Sequence, residues 1–227
     1  LVITGDIDYE ATLKMVKSYY SPWTKGYVTP KIEKEPVQNG ERKAKVDYPG
    51  KTLPVLSISY KGEAFSPTNK MWVATQLFGE LAFGETSDLY KKLYIKEQKI
   101  QSLFHDIQMN RDPNLFFIYA IIKNENDVSP IQNEIESTIK VFQTKLADKE
   151  KLDNLKKRLK YSYLMSLDTP NKVAENLARI LAVSGEIETV NIYFATLESV
   201  TLEDIRTATQ KYFVPEKRTV VTLTGSK

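Results

Sequence analysis

The 227-residue chain carries 32 Lys and Arg residues against 29 Asp and Glu residues, and 41% of its residues are hydrophobic. This composition is typical of a folded globular chain, and because its charges are interspersed we expect no nucleic-acid partner. One His and no Cys are present. That count excludes disulfides, thiolate nucleophiles and any zinc site with two His ligands.

The longest apolar run is LFFIYAII, from Leu115 to Ile122. It is too short to cross a bilayer as a helix, which takes about 20 residues. We therefore expect no membrane insertion. The chain opens within an apolar, strand-like stretch and lacks an initiator Met, so we expect it to be cut from a longer polypeptide. Its localisation stays undetermined between a bacterial periplasm and the cytoplasm.

Six segments are predicted to be strands because their apolar residues alternate or form short runs bounded by turn residues. In chain order they are residues 1–5, 42–48, 53–62, about 100–109, about 115–123 and 218–225. The first of these, LVITG, is expected to be buried. Residues 24–40, which contain Pro, Lys and Glu, are predicted to be an irregular connection.

Helices are predicted where a polar cap residue precedes apolar residues at helical spacing. The predicted caps are Asp8, Ser66 (with Pro67 in the first turn), Ser129 (with Gln132 completing a capping box), Asp148, Thr169 and Thr201. A shorter helix is predicted over residues 87–97, and Gly185 is predicted to end the helix that follows Thr169. After Asp148, leucines are expected to face inward while KKRLK, residues 156–160, faces water.

The order of these elements predicts an α+β fold. Strands cluster in the first half, and from about residue 124 the chain is mostly helical until its closing strand. Such an order favours a mostly antiparallel sheet with helices packed on one face. We expect residues 1–227 to form a single domain with a helix-rich second half.

One glycine-containing stretch has the spacing of a phosphate-binding loop. In GELAFGET, Gly79 and Gly84 are correctly spaced, but Glu85 stands where such a loop needs Lys and would repel phosphate. The stretch also follows a predicted helix rather than a strand. We therefore interpret it as a helix end with a turn.

The single histidine, His105, lies next to Asp106 in a predicted strand. Adjacent strand residues point to opposite faces, so we do not expect these two side chains to form an acid–base pair. A serine triad built on His105 lacks a supporting G-x-S-x-G motif. The interpretation that follows is a structural histidine.

Five segments, taken in order, resemble one family over nearly the whole chain. They are LVITGDIDYEATLKMVKSYY, LPVLSISYKG, LFGELAFGETSDLYKKLYIKEQ, LFFIYAII and TLEDIRTATQKYFVPEKRTVVTLTG. Together they resemble the inactive second domain of pitrilysin/insulinase-type zinc metallopeptidases, a superfamily that includes the mitochondrial processing peptidases.

The resemblance implies partners for this chain. In such peptidases two halves, each of two related domains, close around an unfolded peptide. The first domain holds zinc through H-x-x-E-H and a distant Glu. The implied partners are that preceding catalytic domain, a second half of the same peptidase or a partner subunit, and peptide substrates. Zinc is expected in the preceding domain, and no cofactor is expected in this chain.

In the half opposite the zinc, the family's helix–strand unit commonly supplies an Arg and, seven residues later, a Tyr that contact the substrate. Matching the S-x-L-Y helix places Tyr94 and Gln101 at those positions. The resemblance therefore implies no catalytic, metal-binding or substrate-binding residue here, and we expect Tyr94 to pack on the sheet and Gln101 to begin a strand.

The resemblance implies a structural and substrate-enclosing domain of a larger zinc endopeptidase. The alternative is a scaffold or assembly subunit of a processing-peptidase-like complex without peptidase activity. An H-x-x-E-H motif in the preceding domain would favour the first. An independent hydrolase that uses His105 is a weaker third hypothesis.

Overall fold

One sheet organises the structure. The computed structural model describes residues 1–225. The strands are β1 (Arg42–Tyr48), β2 (Val55–Lys61), β3 (Ile100–Ile107), β4 (Leu115–Ile122) and β5 (Arg218–Gly225). Their spatial order is β1-β5-β2-β4-β3; β1 and β5 are parallel, and the other neighbours are antiparallel. This confirms the predicted, mostly antiparallel sheet.

Helices fill the remainder of the chain. They are α1 (Tyr9–Tyr20), α2 (Lys70–Phe83), α3 (Asp88–Tyr90), α4 (Val128–Thr144), α5 (Lys149–Met165), α6 (Pro170–Ser184), α7 (Thr189–Ser199) and α8 (Leu202–Tyr212). α3 continues as a π-helical turn, Lys91–Lys96, and short 3-10 turns lie at Glu125–Asp127 and Pro215–Lys217. Within residues 1–225 no helix has the length and apolar character that a membrane span requires.

The core lies between one face of the sheet and α2. Leu56 and Ile58 of β2 and Ile118 of β4 are at most 1% exposed. α2 buries residues all round its circumference, as a helix at the centre of a core does. α8, α5 and α7 contact α2, and α4 packs against α8. The helices thus lie on one face of the sheet, which confirms the predicted α+β class.

Most predicted caps are present. Asp8 accepts a hydrogen bond from the Ala11 N–H (2.7 Å), and Asp148 accepts one from the Lys151 N–H (3.0 Å). Thr169 caps α6 with Pro170 in its first turn, and Thr201 forms a capping box with Asp204 at the start of α8. Gly185 ends α6 in the left-handed conformation, with φ 79°.

Two predicted caps are wrong. α2 is capped by Asn69, which accepts from the N–H groups of Met71 and Trp72, while Ser66 lies in the preceding turn. The Asn69 amide can bind both Glu63 and the helix end, which the Ser66 hydroxyl does not do. α4 begins at Val128, so Ser129 is already helical, and Gln132 donates to Glu136 along the helix.

The prediction that residues 156–160 all face water is wrong for Lys156. Its side chain is buried at 6% exposure, and its Nζ donates to the carbonyls of Glu198 (2.8 Å) and Val200 (2.7 Å). These carbonyls belong to the C-terminal end of α7, a helix that the sequence analysis did not identify. A buried ammonium is stable there because it satisfies carbonyls that the helix end leaves free.

The predicted buried strand at residues 1–5 is also wrong. These residues pair with no strand of the sheet in the described part of the chain, and Leu1 and Ile3 are exposed. α1, which follows them, buries no residue. A strand needs a neighbouring backbone to bind, and residues 1–5 pair with neither of the outer strands, β1 and β3.

Candidate functional site: the open face of the sheet

The face of the sheet opposite the helices carries half-buried and exposed side chains. We name it the open face; it comprises Val55, Ser57 and Ser59 of β2, Phe104 and Asp106 of β3, Phe117, Tyr119 and Ile121 of β4, and Val221 and Leu223 of β5. Strand pairing places its members side by side. Ser57, for example, lies between Tyr119 and Val221. The result is a continuous, mostly apolar surface.

Aromatic rings dominate the open face at its β3–β4 end. Phe104 is 44% exposed, and its ring centroid lies 4.8 Å from that of Tyr119 and 6.0 Å from that of Phe117. Cross-strand aromatic pairs at such distances stabilise a sheet. Here they also present three rings, with the polar end of one tyrosine, on a face that the helices leave uncovered.

The helix–strand unit beside β3, residues 87–103, has an irregular backbone. Ser87 caps α3 by accepting from the Tyr90 N–H (3.1 Å), and Leu93 is buried beneath the π-helical turn. Gln98 then adopts φ 51°, which is uncommon for a residue other than Gly. π-helical turns and β-bulges are frequent beside functional sites, which makes this unit a candidate binding element.

Tyr94 and Gln101 stand at the two positions of this unit that the resemblance singles out. Tyr94 is 43% exposed and stacks on Tyr90 at 5.0 Å, so it does not pack on the sheet as expected. Gln101 lies at the start of β3, as expected, where the pairing with β4 shifts between Ile100 and Ser102. It is exposed, and neither Tyr94 nor Gln101 takes part in a side-chain hydrogen bond within residues 1–225.

His105 packs at the edge of the core. It points toward the helices, stacked on Phe116 at 6.0 Å, while Asp106 lies on the open face. Burial lowers the pKa of His105 below its ordinary value, although the neighbouring Glu80 carboxylate, 3.8 Å away, acts in the opposite direction. A neutral ring therefore sits beside a carboxylate whose other oxygen binds Arg158 (2.6 Å).

Gly79 has a packing role in this arrangement. A Cβ at this position of α2 would lie 2.5 Å from His105 Nδ1 and 3.0 Å from the Phe116 ring. The close approach of α2 to β3 and β4 therefore requires glycine here. This supports the interpretation of GELAFGET as a helix end, since Gly84 follows the last residue of α2.

No metal centre forms in the part of the chain that the structure describes. Over residues 1–225, no three His, Cys, Asp or Glu side chains come together in a group that could hold a metal ion. The donors that zinc prefers in proteins are therefore not assembled there. The open face offers non-covalent contact through aromatic rings, aliphatic side chains and hydroxyl groups.

Sequence reasoning did not identify the open face. The available signal was the run LFFIYAII, which is apolar on both faces of β4, whereas a strand with one solvated face alternates apolar with polar residues. That signal shows that both faces of β4 are apolar. It does not show which face the helices cover, because this depends on the order of the strands in the sheet.

Comparison with known proteins agrees with this fold. The sequence profile of the peptidase M16 inactive domain matches residues 1–159. The zinc protease PqqE of Helicobacter pylori is 24% identical over 230 residues, covering 98% of this chain and 50% of the relative. The mitochondrial-processing peptidase subunit beta of Lentinula edodes is 25% identical over 231 residues, with 93% and 48% covered.

A solved structure of a protease from Helicobacter pylori superposes with a TM-score of 0.87 at 22% sequence identity, over 97% of this chain and 53% of that one. The chain thus spans about half the length of the curated relatives it matches. The profile match covers well over half of the sequence. The chain belongs to the peptidase M16 inactive-domain family.

Proposed function

We propose that this chain is the non-catalytic, substrate-enclosing domain of a larger zinc-dependent endopeptidase, in which the open face lines the space that holds the peptide. The single observation that carries the proposal is the half-buried and exposed aromatic and aliphatic surface on the side of the sheet that the helices leave uncovered. A globular domain seldom leaves such a surface to water unless it faces a partner or a ligand.

The chemistry of the open face suits peptides of varied sequence. Contacts with the rings of Phe104, Phe117 and Tyr119 are non-directional, so they tolerate different substrate side chains. The hydroxyls of Ser57 and Ser59 both donate and accept hydrogen bonds, so they suit an extended peptide backbone. The surface would therefore hold an unfolded peptide without selecting one sequence.

The reaction itself belongs to another part of the proposed enzyme. The preceding domain would hold zinc and supply the metal-bound water chemistry, since residues 1–225 group no metal donors. A second half, either in the same polypeptide or in a partner subunit, would close the chamber. Support for these partners comes from family membership and from relatives about twice as long as this chain.

A second candidate function is a scaffold or assembly subunit without peptidase activity. The match to a protein named as a subunit of a processing peptidase supports assembly with other subunits. One feature of the parent polypeptide distinguishes the two functions. An intact H-x-x-E-H motif in its preceding domain supports the enzyme, and its loss supports the scaffold.

Kinetics on the parent peptidase test the proposal. Phe104→Glu places a charge on the open face, and Val141→Glu, at a site on α4 that is 49% exposed, is the matched control on the helical side. We expect Phe104→Glu to raise KM for an apolar peptide several-fold, about 1 kcal/mol of binding, and Val141→Glu to leave KM unchanged. Equal KM values for both variants and the wild type, with unchanged melting temperatures, would refute the open-face role.

A further inference from the structure

The open face carries one charged side chain among its apolar and hydroxyl-bearing members. That side chain is Asp106 of β3, which lies directly opposite Phe117 of β4. Residues directly opposite in an antiparallel pair have Cβ atoms about 4.5–5.5 Å apart. The Asp106 carboxylate therefore stands beside the Phe117 ring, and Phe104 lies two residues away on the same face of β3.

The Asp106 carboxylate has no partner in the part of the chain that the structure describes. It is half-buried, and within residues 1–225 it takes part in no hydrogen bond and no ion pair. Lys61, at the end of β2, binds Glu35 instead. Arg111, in the connection between β3 and β4, donates to the Ala182 carbonyl. These two cations are thus held by other groups, and the charge of Asp106 is left for a partner from outside.

The neighbouring histidine does not neutralise this carboxylate. His105 is the next residue along β3 and points to the opposite face of the sheet. Burial lowers its pKa below the ordinary value, although the charges of Glu80 and Asp106 act in the opposite direction. A neutral ring on the far side of the sheet leaves the open face with a net negative charge at Asp106.

The aromatic rings beside Asp106 add a second attraction for a cation. Phe104 and Phe117 stand nearly perpendicular, at 84°, with centroids 6.0 Å apart, and Phe104 is 44% exposed. The face of an aromatic ring is negative, so it attracts an ammonium or guanidinium group that comes within about 6 Å of the centroid. Lys and Arg also carry an aliphatic stem that packs on apolar surface. The combination of one carboxylate with phenyl rings matches such a side chain.

Other cations fit this place less well. Calcium takes about six to eight oxygen ligands, and magnesium needs an octahedral set. Within residues 1–225 no three acidic, His or Cys side chains group together to supply them. A small organic ammonium would find few contacts on an open surface. A side chain of a peptide is held in addition by the contacts of its neighbours with Tyr119 and Ile121 of the open face.

We propose that Asp106, Phe104 and Phe117 form a subsite that binds a Lys or Arg side chain of the peptide substrate. The inference rests on the proposed function, because it assumes that the open face meets the peptide. The other contacts of the open face do not select among side chains, so this subsite gives the surface a preference at one substrate position. An acidic side chain there would meet a like charge and be disfavoured.

Kinetics of the parent peptidase on two matched peptide series test the inference. Both series use one uncharged sequence, in which each position in turn is replaced by Lys in the first series and by norleucine in the second. Norleucine keeps the aliphatic stem and lacks the charge. We expect the wild type to show, at one position, a KM about 5-fold or more lower for Lys than for norleucine. The difference should shrink as salt is added, and no Lys preference at any position would overturn the inference.

Variants of the subsite decide whether Asp106 causes the preference. Asp106→Asn keeps the shape of the side chain and removes its charge, so it should reduce the Lys preference to less than about 2-fold. Asp112→Asn, at an exposed position between β3 and β4, is the control and should keep the wild-type preference. Asp106→Lys should reverse the preference, so that Glu at the same peptide position gives a lower KM than norleucine. A damaged fold cannot produce that reversal, and a Lys preference that survives both Asp106 substitutions would overturn the inference.

Phe104→Glu separates this inference from the proposed function. If Phe104→Glu raises KM for the norleucine series while Asp106→Asn keeps the Lys preference, the open face meets the peptide and only the subsite is refuted. If Phe104→Glu leaves KM for the norleucine series unchanged and the Lys preference persists in Asp106→Asn, both are refuted.

Discussion

Gly79 shows how one residue sets the distance between the central helix and the sheet. The space beside it is filled by His105 and Phe116, and these rings stack on each other. The glycine that first suggested a phosphate loop is therefore explained by packing. His105 is explained in the same way, as a neutral ring held in the core.

We expect Gly79→Ala to lower the free energy of unfolding by about 1–2 kcal/mol, measured by urea unfolding. Over-packing costs about 1–3 kcal/mol, and the better helix propensity of Ala returns up to about 1 kcal/mol. Gly26→Ala is the control, since nothing lies within 4 Å of a Cβ there. A Gly79→Ala protein as stable as the wild type would contradict the packing account.

Buried tyrosines predict how stability depends on pH. Burial raises the pKa of Tyr60, Tyr193 and Tyr212 to about 12, and the Tyr193 hydroxyl donates a hydrogen bond to Gln76 (2.6 Å). Above pH 10 the unfolded chain loses these protons while the folded chain keeps them. Their contribution to stability is therefore complete below about pH 10 and is lost as the pH rises toward 12.

We expect Tyr193→Phe to make the loss of stability between pH 9 and pH 11 smaller than in the wild type, because one raised pKa is removed. Urea midpoints at the two pH values measure this, and tyrosinate absorbance follows the titration. Tyr161→Phe, at an exposed position, should keep the wild-type pH profile. The same slope for Tyr193→Phe and the wild type would exclude this explanation.

At the scale of elements, α5 is tied to the end of α7 by one buried ammonium. Burial lowers the pKa of Lys156, although Glu198 and Asp153 act against this. The buried ammonium is stable there because the two carbonyls that it binds, at the end of α7, have no other donor in that helix. The contact joins residues more than 40 positions apart in the sequence.

Lys156→Met should cost about 1–3 kcal/mol of stability, since it leaves buried carbonyls without a donor while keeping most of the side-chain volume. Urea unfolding measures the loss. Lys157→Met, at the exposed neighbouring position, should change stability by less than about 0.5 kcal/mol. Similar losses in the two variants would mean that the hydrogen bonds of Lys156 contribute little.

We propose that Tyr94 and Gln101, in the helix–strand unit at residues 87–103, do not contact the reacting part of a substrate. In the parent peptidase we expect Tyr94→Ala and Gln101→Ala each to change the free energy of transition-state binding, computed from kcat/KM, by less than about 1 kcal/mol. Tyr94 lacks the charged fork of an Arg, and an amide at position 101 stabilises developing negative charge less than a phenol does. A loss of about 2 kcal/mol or more for Gln101→Ala, with an unchanged melting temperature, would reassign this unit as substrate-binding.

Local signals in the sequence predicted the elements that depend on local physics. The alternation in β2 and the cap residues Asp148 and Thr201 act over a few residues, so they can be read directly. Asn69 was missed because its choice as a cap depends on Glu63 as well as on the helix. The burial of Lys156 was missed because its acceptors come from a distant helix.

The candidate site was less predictable than the fold. Tyr94 and Gln101 were located by resemblance, but the stacking on Tyr90 and the strand irregularity next to Ile100 depend on tertiary structure. The open face depends on strand order, because β5, the last strand in the chain, inserts between β1 and β2. No window of sequence contains that information.

At the scale of the whole molecule, the chain has three surfaces with different roles. The helical face is packed around α2, the open face is apolar and uncovered by helices, and residues 1–23 carry exposed apolar side chains. The proposed substrate-enclosing role depends on the second of these surfaces, the open face. The central claim is that the open face meets the substrate.

Photo-crosslinking in the parent peptidase tests that claim most directly. A photoreactive phenylalanine analogue is placed at position 119 on the open face or, as the control, at position 161 on α5, and a peptide is added to the zinc-depleted enzyme so that it binds without cleavage. We expect covalent peptide adducts from position 119 and none above background from position 161. Adducts from position 161 alone, or equal labelling at both positions, would contradict the assignment of the open face as the wall that meets the substrate.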